Sequence, residues 1–89
     1  MTFRAYMENV EKLTGKSAEE LYKMAIKKGF VKRGKIVATH AQLLGWLKEE
    51  VGLGHVRANF FILYLRLRTN DPKLTAQSKA WAYDTGYAD

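Results

Sequence analysis

Eighty-nine residues amount to 10.2 kDa, enough for one domain with a small core that buries only about 60–65% of the surface its unfolded chain exposes. A composition 47% hydrophobic and 27% charged excludes a disordered chain, and the absence of cysteine excludes a disulfide framework, a thiolate metal site and a cysteine nucleophile. Fifteen Lys and Arg against nine Asp and Glu leave a formal charge of +6, which suits anionic partners or plain solubility, and no stretch is apolar enough to suggest a membrane span.

Thr2 reads as the N-cap of a first helix. Its apolar stripe is Phe3, Met7, Val10 and Leu13 or Thr14, with Tyr6 beside it. Glu8 and Lys12 form an i,i+4 pair, and Gly15 ends the helix. Ser17 and Glu20 make a capping box for a short second helix that turns Leu21, Met24, Ala25 and Tyr22 inward and stops at Gly29. From Phe30 to Ala38, strand-prone Phe30, Val31, Ile36 and Val37 flank Lys32-Arg33-Gly34-Lys35. A lone hairpin is marginal, so the expectation is a loop pinned to the core by Phe30 and Ile36.

Thr39 and Gln42 box a third helix running through Leu43, Leu44, Leu47 and Val51, with Trp46 at its flank. Gly45 inside it costs roughly 1 kcal/mol against Ala, which points to close packing against another backbone. Gly52-Leu53-Gly54 breaks this helix, and a fourth runs from about His55 to Thr69 with Val56, Phe60, Leu63 and Leu67 as its inner row. Phe61, Ile62, Tyr64 and Leu65 are apolar as well, so this helix is either central or covered by something extra. Asn70-Asp71-Pro72 terminates it. Residues 71–89 carry Leu74, Trp81, Tyr83 and Tyr87, too aromatic for a solvated tail. The fold expected is all-α: a bundle of four helices forming a compact domain over 1–70. The aromatic C-terminal segment, 71–89, is either packed on the last helix or partly ordered.

Charge is unevenly spread. No acid lies between Leu21 and Lys48, where Lys23, Lys27, Lys28, Lys32, Arg33, Lys35 and Lys48 fall, and Arg57, Arg66 and Arg68 follow. A one-signed stretch is either a solvated face or a patch for phosphates.

The run Gly52-Leu53-Gly54-His55-Val56-Arg57-Ala58, between two helical segments, resembles the helix-hairpin-helix motif of DNA-binding proteins. Two glycines permit a tight reversal, and a helix N-terminus without a Cβ in the way offers free N–H groups to a phosphate. The resemblance implies that Gly52 and Gly54 shape the hairpin, that Leu53 anchors it, and that Ala58 lets the helices approach. The amides of Gly54, His55 and Val56 would then face a duplex backbone, with Arg57 adding a charged contact. Val56 stands where that motif usually has a basic residue, and Phe60 where it has a small one. A helix–helix turn with a glycine C-cap and no ligand accounts for the same residues.

A wider resemblance rests on Phe3-x-x-Tyr6, Thr14-Gly15-Lys16-Ser17 and Trp46-Leu47-Lys48 with Gly52-Leu53-Gly54-His55. Over about residues 2–68 the chain resembles a bacterial family of small cytoplasmic domains of unknown function. The resemblance implies a compact helical domain and carries no activity.

Enzymatic function is not expected. His40 and His55 belong to no metal-binding pattern, Ser17 and Ser78 have no neighbouring His and acid, and Gly-Leu-Gly is too short for a dinucleotide fingerprint. No cofactor or metal is expected. The leading expectation is a non-enzymatic nucleic-acid-binding module with little sequence preference. It would contact phosphates through Gly52, Gly54, His55, Val56 and Arg57 together with Lys32, Arg33 and Lys35. The alternative is a protein-interaction or homodimerisation domain using Phe61, Ile62, Tyr64 and Leu65. A cytoplasmic location is expected, since Met1 to Tyr6 hold no signal-peptide core, and no membrane partner is expected.

Overall fold

The computed structural model describes residues 2–87, which are mostly helical. In chain order they form α1 (Phe3–Thr14), α2 (Ala18–Lys27), β1 (Val31–Lys32), β2 (Lys35–Ile36), α3 (His40–Trp46), α4 (His55–Thr69) and α5 (Ala76–Asp84). A π-helical turn, Leu47–Val51, continues α3. The predicted caps are present. Thr2 accepts from the Ala5 N–H, and full capping boxes join Ser17 to Glu20 and Thr39 to Gln42.

The fifteen residues of α4 organise everything else. Ala58, Phe61, Ile62 and Leu65 form one buried stripe at helical spacing. It packs into a core with Val10 of α1, Leu21 and Ala25 of α2, Val31 of β1 and Leu43, Trp46 and Leu47 of the α3 segment. Leu67 is also buried, but at about 100° per residue it lies on the opposite side with Phe60 and Leu63. There it meets Phe3 of α1 and Leu74, Trp81 and Ala82 of the C-terminal segment. Aromatic edges close this second cluster: Phe60–Trp81 at 5.4 Å, Phe3–Trp81 at 6.2 Å and Phe3–Tyr87 at 5.6 Å between centroids. Tyr6 stacks on Phe60 at 3.7 Å.

Several expectations change here. The fourth helix has two apolar faces, and the row expected inside, Phe60, Leu63 and Leu67, is the one turned to α5. Val56 of that row is 56% exposed because α5 does not reach it. The supposed interaction face is core instead. Phe61, Ile62 and Leu65 are buried and Tyr64 half-buried against them, so this face is largely taken up by the core. The C-terminal segment forms a fifth helix, and the bundle has five helices where four were expected.

Residues 30–38 also depart from the loop expected. They form an antiparallel hairpin pairing Val31 with Ile36 and Lys32 with Lys35. Arg33 and Gly34 both take positive φ, 54° and 73°, as the two central residues of the turn that best matches strand twist. Burial of Val31 holds the hairpin to the core, and the Phe30 ring sets its edge against Trp46 at 5.5 Å. Trp46 is buried in that core, not at the helix flank, with its Nε1–H unpartnered. Gly45 has nothing within 4 Å of where a Cβ would stand, so the close approach expected there is absent.

The chain's C-terminal end completes its beginning. The Phe3 N–H donates to Thr85 Oγ1 at 3.0 Å and the Arg4 N–H to the Thr85 carbonyl at 3.2 Å, so α1 has partners for the donors that a helix start leaves open. Gly86 follows at φ 123°, and a Cβ there would stand 2.8 Å from the Arg4 Cβ. Gly86→Ala is therefore expected to cost about 1–3 kcal/mol. Calorimetry should show the midpoint falling by roughly 4–8 °C for each kcal/mol, and an unchanged midpoint would remove this docking from the account of stability.

Burial holds the Tyr87 phenol above the ordinary tyrosine range, Tyr83 and Tyr64 add to the shift, and Arg68 opposes it. Folding thus favours the neutral phenol. Its contribution is intact below about pH 10 and declines as pH rises through the folded-state value. A thermal-melt series above pH 9 should show Tyr87→Phe losing less stability than the wild type, and parallel losses would contradict it.

Candidate nucleic-acid interface

The Gly-Leu-Gly hairpin follows from how the π-helical turn ends. Gly52 sits at φ 85°, and both its N–H and that of Leu53 donate to the Leu47 carbonyl, the latter at 2.9 Å. This places Leu53 in the core at 2% exposure, beside fully buried Ala58. Gly54 then caps α4 without a side-chain acceptor, and the Ala58 N–H returns to the Gly54 carbonyl at 2.9 Å. The N–H groups of Gly54, His55, Val56 and Arg57 have no acceptor among the described residues. All four residues are exposed, and none belongs to the cluster that α5 covers.

The basic hairpin lies elsewhere. Its exposed Lys32 and Lys35 pair across the hairpin, next to the Val31–Ile36 pair. Lys35 and Ile36 share a cleft with Arg66, Thr69 and Asn70 at the far end of α4. A fifteen-residue helix separates that end from Gly54 by about 20 Å. Arg57 is also about 180° around α4 from Arg66, nine residues on. The structure therefore brings Gly52, Gly54, His55, Val56 and Arg57 together at one end and Lys32, Arg33 and Lys35 at the other, and does not merge the two groups.

What it does gather is a cationic cleft that the sequence reading missed. Lys35 of β2, His40 of α3, Arg66 of α4 and Lys73 of the α4–α5 loop line adjoining spaces of about 250 Å³ each. Arg66 Nη2 stands 3.5 Å from His40 Nδ1. The ion pairs among the described residues join Lys28 to Glu50 and Arg68 to Glu19, and the cleft cations belong to neither. Asp71 is the one acid in the lining, and its Oδ1 already accepts from the Lys73 N–H at 2.7 Å. Three cations from three segments against one carboxylate leave the lining net positive, which favours an anion between them. A signal for this existed in the sequence: Asn59 and Arg66, seven residues apart, fall on one flank of the helix.

Among the described residues no three His, Cys, Asp or Glu side chains gather as a metal site. Nor is any helix among them long and apolar enough to cross a membrane. A protein family described as a domain of unknown function (DUF4287) matches residues 2–66 of the chain. No curated protein and no solved structure matches it.

Because Leu53 fixes the bend that leaves the Gly54–Arg57 donors open, Leu53→Ala should cost about 2–5 kcal/mol. Amide exchange checks the link: the N–H groups of Gly52 and Leu53 should lose protection before those of the α4 centre, and uniform loss would argue against a local anchor.

Proposed function

The chain belongs to the DUF4287 family, and we propose that it is a non-enzymatic nucleic-acid-binding module that grips phosphates with little sequence preference. The observation that carries this reading is the cleft of unpaired cations, Lys35, Arg66 and Lys73, continued outward by Lys32 and Arg33. Lys32 and Lys35 are like charges directly opposite on a hairpin, an arrangement that repels itself until an anion lies across it. The open donors at Gly54 supply a second phosphate contact at the other end of α4. About 20 Å apart along α4 and on different sides of it, the two contacts would hold separate phosphates. The interaction reading loses its motive, because its residues fill the core.

A fluorescence-anisotropy titration with short oligonucleotides tests this. Four to six phosphate contacts should give a slope of log K against log salt of about −3 to −5. Lys32→Glu with Lys35→Glu should weaken binding at least tenfold and flatten that slope by roughly 2. No binding at about 50 mM salt, where this electrostatic term is strong, would end the proposal.

A further inference from the structure

The cleft has two chambers that share a wall. Arg66, Lys73 and His40 belong to both, so two cations and an imidazole form a waist between them, with Asp71 the one carboxylate in the second chamber. On one side of the waist lie apolar walls from Phe60, Leu63 and Leu74. On the other, Ile36 and Pro72 line the space next to Lys35. Neither chamber, at about 250 Å³, reaches the ~300 Å³ at which single small-ligand pockets begin. The arrangement suits a ligand with negative charge in the middle and a flat, weakly polar group at each end.

We infer that the cleft takes one phosphodiester step of single-stranded nucleic acid, with its phosphate at the Arg66–Lys73–His40 waist and a base in each chamber; this rests on the nucleic-acid reading above and names its substrate. A duplex presents its phosphates outward and keeps its bases stacked and paired, so it cannot fill two concave chambers. An unpaired strand can splay its bases into apolar or aromatic surroundings while its backbone follows cations. Arg66 suits the waist because its planar, always-charged guanidinium can hold two phosphate oxygens at once. Polar atoms from Asn59 and Ser78 at the first chamber's rim can meet a base edge without selecting one base strongly.

The test uses the full chain and labelled oligothymidylate against a duplex of equal length at about 50 mM salt. Dithymidine monophosphate, thymidine and inorganic phosphate serve as competitors. The strand should bind about tenfold more tightly than the duplex, and the dinucleotide should compete well below the concentrations that thymidine or phosphate require. Arg66→Gln and Lys73→Gln should each weaken strand binding about fivefold to tenfold and narrow the preference over duplex. Ser78→Trp, which fills the first chamber without changing charge, should do the same, with circular dichroism showing that each variant is folded. Lys73 lies in an exposed loop, so its variant stands if the Arg66 one fails to fold. Equal binding of duplex and strand, or inorganic phosphate competing as well as the dinucleotide, overturns the inference and leaves the nucleic-acid reading in place. Failure of both oligonucleotides to bind overturns the two together.

Discussion

A fifteen-residue helix that is apolar on two opposite sides cannot sit at the rim of a domain, because one side would face water. In α4 the stripe of Ala58, Phe61, Ile62 and Leu65 requires the core built by α1, α2, the β-hairpin and the α3 segment. The side formed by Phe60, Leu63 and Leu67 requires a second cover, which α5 and the start of α1 provide. Burying a large apolar side chain is worth about 1.5–3 kcal/mol relative to leaving it exposed. Against a total stability of about 5–15 kcal/mol for a small domain, leaving the second side bare would cost a large share. The position of every other element follows from sheathing this helix.

Sheathing two sides leaves α4 only two narrow flanks for polar groups, and the chain treats them differently. On one flank Arg68 is paired. It donates to Tyr64 Oη at 2.8 Å, ion-pairs with Glu19 of α2, and its guanidinium lies 4.3 Å from the Tyr22 ring centroid. That arginine braces α2 to α4. On the other flank Arg66 is half-buried and has no carboxylate partner, with His40, Lys35 and Lys73 around it. Two arginines two residues apart, of equal formal charge, thus take opposite roles because α2 brings an acid to one flank and β2 brings a lysine to the other.

Local signals in the sequence were legible where they depend on a few adjacent residues. Ser17 with Glu20 and Thr39 with Gln42 mark helix starts, and Gly15 marks an end, because the hydrogen bonds concerned close within one turn. The Gly-Leu-Gly bend was legible for the same reason, down to the buried Leu53 and Ala58. The β-hairpin was not, since two residue pairs carry too little propensity to overcome the cost of ordering, and the burial of Val31 that stabilises it is a tertiary event. The two faces of α4 were confounded for a similar reason. A periodicity argument finds one stripe, and when two opposite stripes are both buried, it has no means of ranking them. The cationic cleft was illegible because its members lie up to thirty-eight residues apart and meet only after α4 is enclosed. Whether the basic hairpin and the glycine bend share a face was not legible either, since only the enclosed fold shows α4 standing between them.

The family match ends at Arg66, and this boundary divides the cleft. Lys35, His40 and Arg66, together with the glycine bend and the main core, lie within the matched residues. Lys73, Leu74 and Ser78, which close the first chamber, come from the segment beyond them, as does the Thr85 that caps α1. Both chambers therefore draw on the matched residues and on the segment beyond them, and part of the cover over the second side of α4 comes from outside the match. If Arg66 and His40 alone set affinity, binding is a property of the matched region, and α5 only protects the helix beneath it. If the first chamber contributes as well, the same segment that stabilises the fold also shapes what it holds. Stability and ligand preference would then be coupled through the packing of α5 on Phe60 and Leu63.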